Sequence, residues 1–214
     1  MARILYVETN FAVGVAKGHD PEGASFLEDR FHDVQLVFPS ICFMEALSLW
    51  NFEKKQRSKF LNDLKAHALE WDRDLTETAT KGLVKQSEEL KSASENHLRF
   101  VQARLYEVLE DLSDLAEKVH PDDDMVRQAL TEVYIADPTD NLILCCVLRH
   151  AGLNPDPDGR KAFLSGNHRD FGQPDVKTML NAVGVKYFSK TGDALGWLRA
   201  EPKLTDPGPT PGGG

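Results

Sequence analysis

Four acids, Glu8, Glu45, Asp140 and Asp170, carry the clearest prospects for chemistry in this chain. Glu8 directly follows the short apolar run Arg3-Ile4-Leu5-Tyr6-Val7. Glu45 lies among apolar neighbours in Phe43-Met44-Glu45-Ala46-Leu47. Asp140 sits in Asp137-Pro138-Thr139-Asp140, which opens a helix, and Asp170 closes Ser165-Gly166-Asn167-His168-Arg169-Asp170 after another apolar run. Carboxylates gathered in one pocket repel one another, and the usual resolution is a hard divalent cation such as Mg²⁺, which prefers oxygen ligands and keeps several waters. A metal so held activates water and stabilises the leaving oxygen in phosphodiester cleavage. Each acid also has a plainer reading. Asp137 and Asp140, three positions apart, would cap a helix; Asp170 would serve a loop turn; Glu8 would be the polar end of a strand. Glu45 is harder to dismiss, because an acid partly buried among apolar side chains needs a partner or a cation. His168 reads as a surface loop residue, and with no second histidine at helical metal spacing a zinc site is not supported.

These residues need a scaffold that brings distant segments together. Arg3–Val7, Val34–Phe38, Ala162–Ser165 and Val185–Phe188 are short apolar runs that read as strands. Helices are predicted around Gly23 to Phe31, from Pro39-Ser40 through Trp50, from Asp137 to about Gly152, over Val176 to Val183 and over Ala194 to Arg199. The alternation predicts an α/β fold with a mostly parallel sheet of four or five strands covered on both faces, the fifth strand near Val133 to Ile135. In such sheets ligands bind beyond the carboxyl ends of the strands, where Glu8, Asn167 and Asp170 fall. From about Asn51 to Ile135 there is no convincing strand. Leu98, Val101, Leu105, Val108, Leu109, Leu112, Leu115 and Val119 recur at helical spacing, which predicts several helices, one pair forming a long hairpin whose stripe packs on the core. The reading is one domain over residues 1–201 with a helical insertion at about 51–135, then a disordered Pro/Gly-rich tail over 202–214.

Composition narrows the class. A net charge of −9 argues against binding nucleic acid through bulk positive potential, although bound metal reverses a local field and local basic patches can hold a backbone. Cys42, Cys145 and Cys146 stand among apolar residues and read as buried thiols in a reducing compartment. No signal-peptide layout is present, and no apolar run approaches the roughly 20 residues that span a bilayer, so the expectation is a cytoplasmic protein without a membrane partner.

The order of the acids resembles that of the PIN-domain nucleases. Leu5-Tyr6-Val7-Glu8-Thr9-Asn10 is similar to that family's first strand, which ends in an acid. Ser40-Ile41-Cys42-Phe43-Met44-Glu45-Ala46 is similar to its glutamate-bearing helix, and Pro138-Thr139-Asp140-Asn141-Leu142-Ile143-Leu144 to its later aspartate-led helix. Phe163-Leu164-Ser165-Gly166-Asn167-His168-Arg169-Asp170-Phe171 resembles its strand and Thr/Ser-x-Asp loop. The resemblance implies a Rossmann-like three-layer sandwich, a Mg²⁺ or Mn²⁺ site and hydrolysis of single-stranded or structured RNA, often as the toxin of a toxin–antitoxin pair. Partners would then include an antitoxin or other protein, or a second copy of the chain. Glu8, Glu45 and Asp140 would be metal ligands, Asn167 and Asp170 would compete for a fourth position, and Thr9, Asn10 and Ser165 would support the carboxylates or water.

Two positions depart from the family's pattern. Glu8 stands where Asp is usual and is one methylene longer, and Asn167 is neutral, which removes one negative charge unless Asp170 folds inward. The alternative is therefore a PIN-like module that binds RNA or protein with weak or no catalysis, using the helical insertion, whose most basic run is Lys54-Lys55-Gln56-Arg57-Ser58-Lys59. An acid after strand one with Lys190 after the last strand would also suit a phosphotransfer receiver, but no acid-bearing middle strand accompanies them. Glu8-Thr9-Asn10 replaces the glycines that a dinucleotide-binding turn requires.

Overall fold

The computed structural model describes residues 3–29, 33–73, 78–155 and 159–200, and the tail from Pro202 lies outside the described residues. Four apolar runs form strands as predicted: β1 (Arg3–Val7), β2 (Gln35–Pro39), β4 (Arg160–Leu164) and β5 (Val185–Phe188). The fifth strand corrects the sequence reading. It is β3 (Glu117–Val119), not the segment near Val133 to Ile135, so the stretch between Asn51 and Ile135 does contain a strand. All pairings are parallel, in the order β3-β2-β1-β4-β5. The result is an α/β fold on an all-parallel sheet, and β1, β2 and β4 each bury their last four residues because both faces are covered. Short, charged β3 forms one edge, a composition that discourages pairing with another chain.

The helices are α1 (Thr9–Ala16), α2 (Pro21–Glu28), α3 (Ile41–Arg73), α4 (Thr78–Leu115), α5 (Asp123–Thr131), α6 (Pro138–Leu153), α7 (His168–Phe171), α8 (Pro174–Ala182) and α9 (Thr191–Arg199). The sequence reading missed α1 and placed the next helix too late: it spans Pro21–Glu28, and the expected extension to Phe31 passes beyond the described residues. α3 runs unbroken from the predicted helix at Ser40 into the insertion. Its 33 residues and the 38 of α4 correspond to about 50 and 57 Å, and the two helices pack on each other as the predicted hairpin. The stripe from Leu98 to Leu112 is buried in the main core, but α4 ends at Leu115, and Val119 belongs to β3.

Helix α6, which carries Asp140, is fixed at both ends. At its C-terminus the ammonium of Lys161, buried within β4, donates to the carbonyls of Ala151 (2.9 Å) and Asn154 (2.5 Å). This places a cation where the helix dipole is negative. At its N-terminal end the buried Asn141 side chain accepts from the Tyr134 and Ile135 amides (3.0 and 3.2 Å). It also donates to the carbonyls of Ala129 and Glu132 (both 2.9 Å). One amide group thus satisfies four backbone groups of the α5–α6 connection, which is why residues 133–135 form a bend held to the helix rather than a strand. Asn141→Ala would strand these groups together, and a loss of roughly 2–4 kcal/mol in urea unfolding is expected.

Candidate functional site

The strand order reverses between β1 and β4, whose neighbours continue outward on opposite sides, and this is where an open parallel sheet forms a ligand crevice. Glu8 lies immediately beyond β1 and is 1% exposed. As N-cap of α1, its Oε2 accepts from the Asn10 amide at 2.7 Å, while Oε1 is buried with no hydrogen-bond partner. The strand-end reading of Glu8 therefore accounts for only half of its carboxylate.

Glu45 projects from the second turn of α3, half-buried, and its Oε2 accepts a short hydrogen bond from the Thr9 hydroxyl of α1. Asp140 resolves its own ambiguity. The capping role belongs to Asp137, whose Oδ1 accepts from the amides of Thr139 (2.8 Å) and Asp140 (3.2 Å). The Asp140 carboxylate is left for other work, and Oδ2 accepts from Nδ2 of Asn167 at 2.8 Å. Asn167 is itself held by the loop after β4: its amide donates to Ser165 Oγ (3.0 Å), and its Oδ1 accepts weakly from the Asp170 amide (3.4 Å). Asn167, and not Asp170, touches Asp140. Asp170 lies on α7 and acts on Asp140 through its charge.

The electrostatics record the crowding. Burial pushes the Glu8 carboxyl up to about 8, and the charges of Glu45 and Asp140 add to the rise; the Asn10 amide and the Ser165 hydroxyl oppose it. Asp140 is pushed up to about 7, first by burial and then by Glu45, Asp137 and Asp170, with Asn167 opposing. Glu45 is raised by burial, against the Thr9 hydrogen bond, with Asp137 adding to the rise. Acids from three separate segments thus destabilise one another's charged forms, a pattern concentrated at functional sites.

Among the described residues, no three His, Cys, Asp or Glu side chains converge as a ready-made set of metal ligands. What the site offers is coupled carboxylates and one orphaned, buried oxygen, Glu8 Oε1. These are hard oxygen donors, and they fit a small divalent cation and not a soft metal. Three cysteines, all buried and unpaired, stand apart as packing residues, although Cys42 lies next to Thr9 and burial drives its thiol well up.

One contributor was missed in the sequence. Tyr187 of β5 donates from its hydroxyl to the Ser165 carbonyl at 3.0 Å, and burial first and the charge of Glu8 second raise its phenol. Its position near the carboxyl end of a predicted strand was the available signal. Beyond Asn10 and Gly166 opens a cleft of about 300 Å³ that His19, Ser189 and Lys190 also line. The exposed His168 packs its ring edge-on to Tyr187.

No protein-family model matches the chain, and no curated protein or solved structure matches it either. No helix among the described residues is long and apolar enough to cross a membrane.

The raised acids carry a pH signature. An acid whose folded pKa exceeds its unfolded value adds stability that is present below the unfolded pKa and lost as pH rises through the folded one. For Glu8 that window runs from its ordinary 4.5 to about 8, and for Asp140 from 3.8 to about 7. Without added metal, the midpoint of thermal unfolding should therefore fall across this range. Glu8→Gln should unfold at a higher temperature than the wild type at pH 8, and the difference should shrink toward pH 5.

Proposed function

We propose that this chain is a metal-dependent endoribonuclease of the PIN-like kind, with Glu8, Glu45 and Asp140 as its cation-holding acids. The observation that carries the reading is the coupling of these acids at the strand-order reversal, with one buried carboxylate oxygen left without a partner. A hard divalent cation bound there, Mg²⁺ or Mn²⁺, would activate water and stabilise the leaving oxygen of a phosphodiester.

The chain's own residues prepare that chemistry in two ways. The Thr9 hydroxyl fixes Glu45, and the Asn167 amide fixes Asp140, so neither carboxylate must be ordered when a substrate arrives. Glu8 and Asp140 hold protons near neutrality while no cation competes, and give them up as positive charge enters the site. The cleft beyond Asn10 and Gly166 adds Lys190 and His19, with Asp20 and Glu22, to the same edge of the sheet.

A second reading, RNA binding without cleavage, is favoured by the neutral Asn167, which hydrogen-bonds Asp140 instead of adding a charge. The two part on one experiment. Cleavage of a mixed single-stranded RNA pool should require Mn²⁺ or Mg²⁺ and stop with EDTA. It should fall by on the order of 10²-fold or more in Glu45→Gln and in Asp140→Asn. RNA left intact by the wild type with either metal present would favour the binding module.

A further inference from the structure

We propose that the exposed face of α3 leading away from Glu45 is a docking surface for single-stranded RNA; its orientation relative to the acids rests on the nuclease reading. Glu45, Leu49, Phe52, Gln56 and Lys59 are spaced four, three, four and three residues apart, so they lie along one side of the helix. Leu49 is 45% and Phe52 63% exposed. These are large apolar side chains left in water next to a charged site.

Between them and α1 and α4 lies a mainly apolar pocket of about 250 Å³, walled by Asn10, Leu49, Trp50, Phe52 and Val101, with the paired Lys17 and Glu53 on its wall. Trp50 is buried, and its indole Nε1 has no hydrogen-bond partner. The slot is walled by an indole and a phenyl ring among apolar side chains. A nucleobase has both a flat face and acceptor edges, and aromatic platforms hold bases with little regard to sequence.

Further out, Lys55 and Lys59 line a shallow groove with Asn51, Lys54, Ser58, Asn62 and Asp63. Their neighbours are committed: Lys17 and Arg57 pair with Glu53 at 2.6 Å each, and Lys54 donates to Gln102. Lys55 and Lys59 have no carboxylate partner among the described residues. In a chain of net charge −9, a groove with three lysines against the one carboxylate of Asp63 complements phosphates. They lie 10 and 14 positions beyond Glu45, about 15 and 21 Å along the axis, so a strand whose scissile bond is at the acids would reach them several nucleotides away. A duplex would hide the base faces that Phe52 and the pocket would take, so the occupant is single-stranded.

The test uses the full chain in EDTA, where nothing is cut, and the anisotropy of a short fluorescein-labelled single-stranded RNA. Lys55→Gln/Lys59→Gln should weaken binding about tenfold at moderate salt. The slope of log affinity against log salt should drop by about 1.4, roughly 0.7 for each lost phosphate contact. Phe52→Ala should weaken binding with the slope unchanged. All three residues are exposed, and circular dichroism should show an intact fold. Mn²⁺-dependent hydrolysis of bis(p-nitrophenyl) phosphate, too small to span the surface, should be unaffected. Wild-type failure to hydrolyse that diester, with RNA binding still lysine-dependent, would overturn the nuclease reading and uphold the surface. Unchanged RNA affinity and slope in the double variant would overturn the surface whether or not the diester is cut. If that variant also sedimented as a smaller species, the face would belong to a second copy of the chain.

Discussion

Mutual repulsion among buried carboxylates is the constraint around which this molecule is organised. Glu8 is almost wholly removed from water, and its charge is opposed by Glu45 and Asp140. Such an arrangement costs stability at neutral pH, and nothing in the core of an α/β fold requires it. The fold tolerates it because protons can occupy the acids and because neutral donors are placed to steady them: the Asn10 amide, the Thr9 hydroxyl and the Asn167 amide. A cation entering the site would replace those protons and turn the repulsion into attraction.

The topology explains how acids so far apart in sequence meet. β1 is the central strand, and β2 and β4 pair with it in parallel on either side. Parallel strands bring their carboxyl ends to one edge of the sheet, so Glu8 and Ser165 emerge together and the first turns of α3 follow from β2 at the same edge. Helix α6 is delivered there by its own anchors, Lys161 at one end and Asn141 at the other. The hairpin of α3 and α4 is a continuation of the site's own helix, which joins the acidic centre to a long helical surface.

β1, β2 and β4 were legible in the sequence because burial on both faces writes a continuous apolar run, β5 because its β-branched and aromatic residues follow a helix, and the acids because Glu8 ends a strand while Glu45 and Asp140 sit in the first turns of helices. The fifth strand was not. Glu117-Lys118-Val119 has only three residues, two of them charged, and sits at the sheet edge, where neither periodicity nor hydrophobicity marks a strand. Val119 looked like the last knob of a helical stripe for the same reason. α1 was hidden because Glu8-Thr9-Asn10 reads as a polar strand end, whereas Glu8 caps the helix that starts at Thr9. The division of labour between Asp137 and Asp140 could not be read from spacing, since both stand where a cap would; only the hydrogen bonds separate the capping acid from the one facing the site. The role of Asn141 is invisible in the sequence, because four backbone partners are a property of the loop's path and leave no trace in residue type.

Titration calorimetry with Mn²⁺ tests the central claim most directly, since it asks whether these acids form a cation site independently of any substrate. The account predicts saturable binding to the wild type that tightens as pH rises through the range in which Asp140 and Glu8 lose their protons, about 7 to 8, and that Glu45→Gln and Asp140→Asn each abolish. Absence of binding across that range, or binding indifferent to both substitutions, would contradict it.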